Sequence, residues 1–267
     1  MDAAAARRSL MLRRRIASAL VLVPVGLAAV WLGPPWLPIV VLTAGMAMAW
    51  EWGRLVSSQP WGATTAIVMA TAALAVLAAA LHRFLPALAV AGLGAAAAAA
   101  SRRDWGWTLA GTLWIAASCI AFLWLAAKAG RVTVIWLLLV VWATDSFAYL
   151  AGKSIGGPRL APRLSPNKTW AGFFGGLAGA ALAGFAVALA TSAHVVPMIL
   201  VSLGLSLTAQ GGDLAESCAK RHFAVKDSSA LIPGHGGVLD RLDGLLAAAM
   251  AAALLGVATG ISEMNLE

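Results

Sequence analysis

Residues 132–150 read VTVIWLLLVVWATDSFAYL, a run free of charge until Asp145. A helix rises about 1.5 Å per residue, so such a run is long enough to cross a hydrocarbon core about 30 Å thick. Eight other apolar runs are expected to do the same: 16–33, 36–50, 62–81, 85–100, 106–127, 170–190, 195–210 and 238–261. The runs 36–50, which continues into Trp50-Glu51-Trp52, and 85–100, almost all Ala, Leu and Gly, are the weakest of the nine. The expected fold is therefore all-α, a polytopic integral membrane protein of about nine transmembrane helices.

Composition agrees. The 267 residues are 61% hydrophobic and only 11% charged, with a mean hydropathy of +0.86. A soluble chain needs roughly a quarter of its residues charged to cover its surface. The net charge of +8 is not a nucleic-acid signature, because the basic residues gather at span ends. Arg7, Arg8, Arg13, Arg14 and Arg15 precede the first run, which lacks a clear cleavage site and reads as an uncleaved span. With the N-terminus in the cytoplasm and nine alternating spans, Arg83, Lys128 and Arg131 fall outside. The other sixteen of nineteen Lys and Arg fall inside, as the positive-inside rule demands. The C-terminus then lies outside. The Trp residues sit mostly near span ends, as an aromatic belt requires. Cys119 and Cys218 form neither a disulfide framework nor a metal pattern.

The chain divides into N-terminal spans (1–131, five helices) and a catalytic region (132–267, four helices). The long polar segments of the second part, 151–169 and 211–237, both emerge on the cytoplasmic side and so can face each other. Residues 210–244, QGGDLAESCAKRHFAVKDSSALIPGHGGVLDRLDG, hold five of the eleven acidic residues. Charges at a membrane edge are costly and seldom idle. Asp213, Glu216 and Lys220 share one helix face, and Asp240 and Asp243 share another. Taken singly, each pair also reads as an ordinary ion pair stitching a helix end. Carboxylates converging from two faces suit Mg²⁺, which takes one or two carboxylates plus substrate phosphates. Ser165-Pro166-Asn167-Lys168-Thr169 offers hydroxyls, an ammonium and a helix start capped by Thr169 or Asn167, which together make a phosphate site. Glu51, between two Trp, reads as an interface anchor. Gly172/Gly176 and Gly175/Gly179 form G-x-x-x-G pairs that serve packing inside the monomer or a dimer seam.

The order Ser217-x-x-Lys220-Arg221-x4-Lys226-Asp227-x-Ser229-x-x-Ile232-Pro233-x-His235-Gly236-Gly237-x-x-Asp240-Arg241-x-Asp243 resembles the signature of the phosphatidate cytidylyltransferases. Gln210-x-Gly212-Asp213-Leu214-x-Glu216, Ser165-Pro166-x-Lys168-Thr169-Trp170 and Asp145-x-x-Ala148-Tyr149 are similar to that family too. One departure is Ala171, where the family commonly has an acid. The resemblance implies transfer of the cytidylyl group of CTP to phosphatidate, with Mg²⁺ as cofactor. It also implies a helical membrane fold, often a homodimer, with the site open to the cytoplasm and the bilayer. A bacterial inner (plasma) membrane protein is expected, with no nucleic-acid partner.

A lipid phosphomonoester, with a second pKa of about 6, is already an anion able to attack without a general base. The enzyme must bring polyanions together and stabilise the charge that develops. Asp213 and Asp240, then Asp243 and Glu216, are the candidate metal ligands. Lys220, Arg221, Lys226 and Arg241 would bind phosphates. Ser165, Lys168 and Thr169 would complete the phosphate site, with Ser217, Asp227, His235, Gly236 and Gly237 shaping the substrate pocket. The alternatives are a CTP-dependent polyprenol or phytol kinase and an ion-coupled transporter.

Overall fold

The computed structural model describes residues 20–100, 102, 104–232 and 236–260. His235, expected in the substrate pocket, lies outside these residues, as do the N-terminal arginines and the C-terminus. Among the described residues nine helices follow one another: α1 Leu20–Leu32, α2 Trp36–Ser57, α3 Ala63–Ala80, α4 Phe84–Ala99, α5 Trp105–Lys128, α6 Gly130–Ser154, α7 Trp170–Thr191, α8 Val195–His222 and α9 Leu239–Ala258. Seven of them, α2, α3 and α5–α9, are long and apolar enough to cross a membrane. The outer surface is apolar, with Leu85 81%, Leu93 74% and Leu254 70% exposed. Water would penalise such a surface, and lipid does not.

Four features differ from the expected spans. The run 85–100 forms a 16-residue helix of the expected length, which falls short of those seven. Helix α2 continues through Glu51 and Arg54 to Ser57. Helix α8 does not stop at 210 but runs on through Asp213, Glu216 and Lys220, for 28 residues in all. At 1.5 Å per residue it is about 42 Å long, so its charged turns project past a core about 30 Å thick. Finally, the segment before α7 contains a small antiparallel hairpin, β1 Arg159–Ala161 and β2 Ser165–Thr169, with Arg159 opposite Thr169 and Ala161 opposite Ser165.

Small residues set the packing. The buried face of α4 is Ala87, Ala91, Ala95, Ala98 and Ala99, which lets α3 and α5 approach closely. Helix α7 buries Gly172, Gly176, Gly179 and Gly184. A Cβ at Gly175 or Gly179 would stand 2.8 Å from Phe147 O or 2.7 Å from Ala143 O, both on α6. The glycine pairs are thus used inside the chain, on α6. Trp31, Trp36, Trp61, Trp105 and Trp170 are exposed near helix ends, whereas Trp52 and Trp136 lie in the core. Helix α5 packs on both α2 and α9, so the two halves of the chain interlock. Cys119 is buried and Cys218 partly so, and both are free thiols.

Candidate active site at the polar end of the bundle

Polar side chains mark one face of α8 along its length. Trp136 Nε1 donates to Ser202 Oγ at 3.1 Å, and Thr144 Oγ1 donates to Ser206 Oγ at 2.9 Å. Gln210 Nε2 donates to Ser206 Oγ at 3.3 Å. The first two bonds tie α8 to α6 in an apolar interior, where a polar group without a partner is costly. Following the same face toward the helix end leads to Asp213.

At that end the hairpin meets α8. Lys168 Nζ lies 2.6 Å from Asp213 Oδ2, with Asp213 still 41% exposed. Arg221 Nε donates to Leu164 O at 3.2 Å. Thr169 caps α7, its hydroxyl accepting from Gly172 N at 3.0 Å. The two polar segments therefore come together, as their shared membrane side requires.

Five carboxyl groups gather there, and the structure sorts them into two sets. Lys220 bridges the first: it pairs with Glu216, one turn earlier on α8, and donates to Asp240 Oδ1 at 2.8 Å. Asp240 also accepts from Ser228 N, from Ser228 Oγ at 3.0 Å and from Gly237 N at 2.8 Å. Gly237 is three residues before Asp240, so this last bond closes the first turn of α9 in the manner of a capping box. Glu216 is fully buried and Asp240 nearly so. Both carboxyl groups thus share the Lys220 ammonium, as Asp213 shares that of Lys168.

The second set is Asp145 on α6, Asp213 on α8 and Asp243 on α9, close enough to repel one another electrostatically. Asp145 is exposed and Asp213 and Asp243 partly so; Gly244 N donates to Asp243 Oδ1 at 2.8 Å. Lys168 and Arg241 act electrostatically on Asp145, and Lys220 on Asp243. Lys168, Lys220 and Arg241 thus act on these carboxyl groups, with Arg221 bonded to the hairpin beside them. Among the described residues no three acids, His or Cys form a ready-made metal cage. Mg²⁺ does not need one, since it keeps waters and shares its shell with substrate phosphates.

A model of the cytidylyltransferase family matches residues 13–258. The chain belongs to the cytidylyltransferase family. It is 39% identical over 260 residues to a phosphatidate cytidylyltransferase of Brucella abortus biovar 1 (strain 9-941), covering 92% of this chain and 93% of the relative. A phosphatidate cytidylyltransferase of Bacillus subtilis (strain 168) is 44% identical over 125 residues, 44% of each chain. One of Rickettsia bellii (strain RML369-C) is 41% identical over 123 residues, 42% of this chain and 53% of the relative.

Around this cytidylyltransferase centre the other expected residues fall at two depths. Ser165 and Ser217 are half-buried, whereas Lys226, Asp227 and Arg241 are exposed at the rim. Gly236 adopts φ +87°, a left-handed conformation that favours glycine. A Cβ there would also stand 2.9 Å from Asp240 Oδ2. Two residues escaped the reading of the sequence as site members. Asp145 ends an apolar span, and its position beside Asp213 depends on helix packing. Glu51, read as an interface anchor, is 0% exposed and reaches the signature loop from α2. Its signal was the cost of a charge inside an apolar run.

Proposed function

We propose that this chain transfers the cytidylyl group of CTP to phosphatidate, giving CDP-diacylglycerol and pyrophosphate. The observation that carries the reading is the Lys168–Asp213 contact, which brings the hairpin's phosphate-binding residues against the acids of α8 and α9. Family membership and the near full-length likeness to the Brucella protein support the substrate pair.

The lipid phosphate oxygen attacks the α-phosphorus of CTP, the bond from that phosphorus to the bridging oxygen breaks, and pyrophosphate leaves. Lys168 and Lys220 draw the anionic groups together, and Arg221, Lys226 and Arg241 at the rim receive the triphosphate and the departing pyrophosphate. Lys220 is held between Glu216 and Asp240, so its ammonium presents a fixed charge to the reacting phosphate. Asp213, with Asp145 or Asp243, would hold Mg²⁺, which neutralises phosphate charge when bound. Trp170, two residues after Lys168, stacks on Phe174, and both are exposed, fitting for a substrate that arrives from the bilayer with its acyl chains in lipid.

The same polar end gathers Arg54, Arg102, Lys168 and Arg221, each bonded to a neighbouring element. This supports a cytoplasmic site, with the N-terminus on the same side. The test uses purified protein in detergent with labelled CTP and phosphatidate, with and without Mg²⁺. Pyrophosphate and CDP-diacylglycerol, formed only with Mg²⁺, are the expected products. Release of CDP would make it a kinase, and no turnover of CTP would return the transporter reading.

A further inference from the structure

We infer that Glu51, in the N-terminal half, is a positioning residue that holds the signature loop and, through it, Lys220. The inference rests on the reading above that Lys220 contacts the reacting phosphates.

A buried carboxylate is costly unless its oxygens are satisfied. Glu51 meets this demand entirely from residues 228–239. Oε1 accepts from Ser229 Oγ at 2.5 Å and from Val238 N at 2.8 Å. Oε2 accepts from Ser228 Oγ at 3.1 Å and from Leu239 N at 2.8 Å. Oε1 thus takes one hydroxyl and one amide, and Oε2 takes one amide and shares the single Ser228 hydroxyl proton with Asp240 Oδ2. The two amides are orphan donors at the start of α9, which has no side-chain cap of its own at Val238. Glu51 supplies that cap from another helix, 187 residues away in sequence. One turn along α2, Arg54 donates to Ser228 O and lies over the Trp50 ring, 5.1 Å from its centroid.

The loop is shaped for this contact. A Cβ at Gly237 would stand 1.9 Å from Ser228 Oγ and 2.7 and 2.8 Å from the two Glu51 oxygens. Glycine is needed at 237 so that the carboxylate can approach. Ser228 Oγ, with a single proton, touches both Glu51 Oε2 and Asp240 Oδ2. The connection from α2 to the phosphate site therefore runs Glu51, Ser228, Asp240, Lys220. None of these steps requires Glu51 to touch a substrate.

Glu51→Gln keeps the shape but turns an amide NH₂ toward two donors, breaking half of the set. Because misplacement of about 1 Å can cost about a hundredfold, kcat for CDP-diacylglycerol formation is expected to fall about a hundredfold. KM for CTP and for phosphatidate should each stay within about threefold, since only binding common to ground and transition states moves KM alone. Glu51→Asp keeps both acceptor oxygens and should recover about tenfold of the loss, geometry being relaxed but charge and acceptors retained. Both proteins are checked for monodispersity and thermal midpoint in detergent. If Glu51→Gln does not fold, Ser229→Ala, which removes one donor only, should lower kcat about five- to tenfold, the size of one hydrogen bond.

Retention of at least a third of wild-type kcat in Glu51→Gln overturns the inference. So does a loss confined to KM, a Glu51→Asp no better than Gln, or a wild-type kcat in Ser229→Ala when Gln is unfolded. Lys220→Met separates the two readings. If it is inactive while Glu51→Gln is fully active, positioning by Glu51 fails alone. If Lys220→Met is itself active, the site reading fails.

Discussion

Helices α2–α5 and α6–α9 are built from similar apolar material yet carry charge very differently. The first group holds three charged side chains, Glu51, Arg54 and Lys128. The second holds ten, seven of them on α8 and α9. The first group packs through alanine faces and the buried Trp52, with Glu51 and Arg54 reaching across to residues 228–239. The second packs through glycines and polar bonds and places its acids and bases, Arg131 apart, at one end. One half performs the chemistry, and the other, by this reading, clamps the loop on which the chemistry depends. A residue's distance in sequence from a motif says little about its distance from the site.

The comparison is broken most severely by removing the ammonium that organises the second half. Lys220→Met leaves Glu216 and Asp240 buried without their cation. It should reduce CTP-dependent pyrophosphate release about a thousandfold, the upper range for losing one electrostatic stabiliser. It should also lower the thermal midpoint, because a buried pair broken on one side is strongly destabilising. Lys168→Ala removes the hairpin's contact with Asp213 at the accessible rim. A drop of about a hundredfold in kcat/KM is expected, read in the same assay, with the thermal midpoint little changed. The Glu51 substitutions come next, affecting the second half from the first.

Substitutions in the first half away from Glu51 and Arg54 should act on stability alone. Ala91→Leu overfills a position 1% exposed on α4, at a cost of about 1–3 kcal/mol. The thermal midpoint should fall, while kcat per folded molecule stays at the wild-type value. Leu93→Ala, on the lipid-facing side of the same helix, should change stability by no more than about 0.5 kcal/mol and leave kcat unchanged. A fall in kcat in either variant would mean that the first half does more than support and clamp.

Much of this arrangement is legible in the sequence. Apolar run length reveals the helices, and alternation brings 151–169 and 211–237 to one side. Spacing places Asp213 and Glu216 on one helix and Asp240 and Asp243 on another, but does not reveal the bridge that Lys220 makes from Glu216 to Asp240. The hairpin was not legible, because strands of three and five residues with Pro166 in the second show no alternation. The full length of α8 was hidden by its charges, which read as a break in an apolar run rather than as helix beyond the membrane. Gly172–Gly179 were readable as close-packing residues, but not the helix they pack against.

The carboxylates show where that limit lies. Whether a chain can bury itself in lipid depends on local sums of apolar surface, so composition and run length determined the membrane fold. Which of five nearby carboxyl groups is free depends on which donors stand within about 3 Å of it. Those donors are distant in sequence: Lys220 and Ser228 for Asp240, Ser228, Ser229, Val238 and Leu239 for Glu51. Only the tertiary structure could commit Asp240 and Glu216 to Lys220 and Asp213 to Lys168, leave Asp145 exposed, and turn a glutamate between two tryptophans into the cap of α9. Hydrogen bonds and ion pairs act at short range, and the packing of the helices decides which groups come within it.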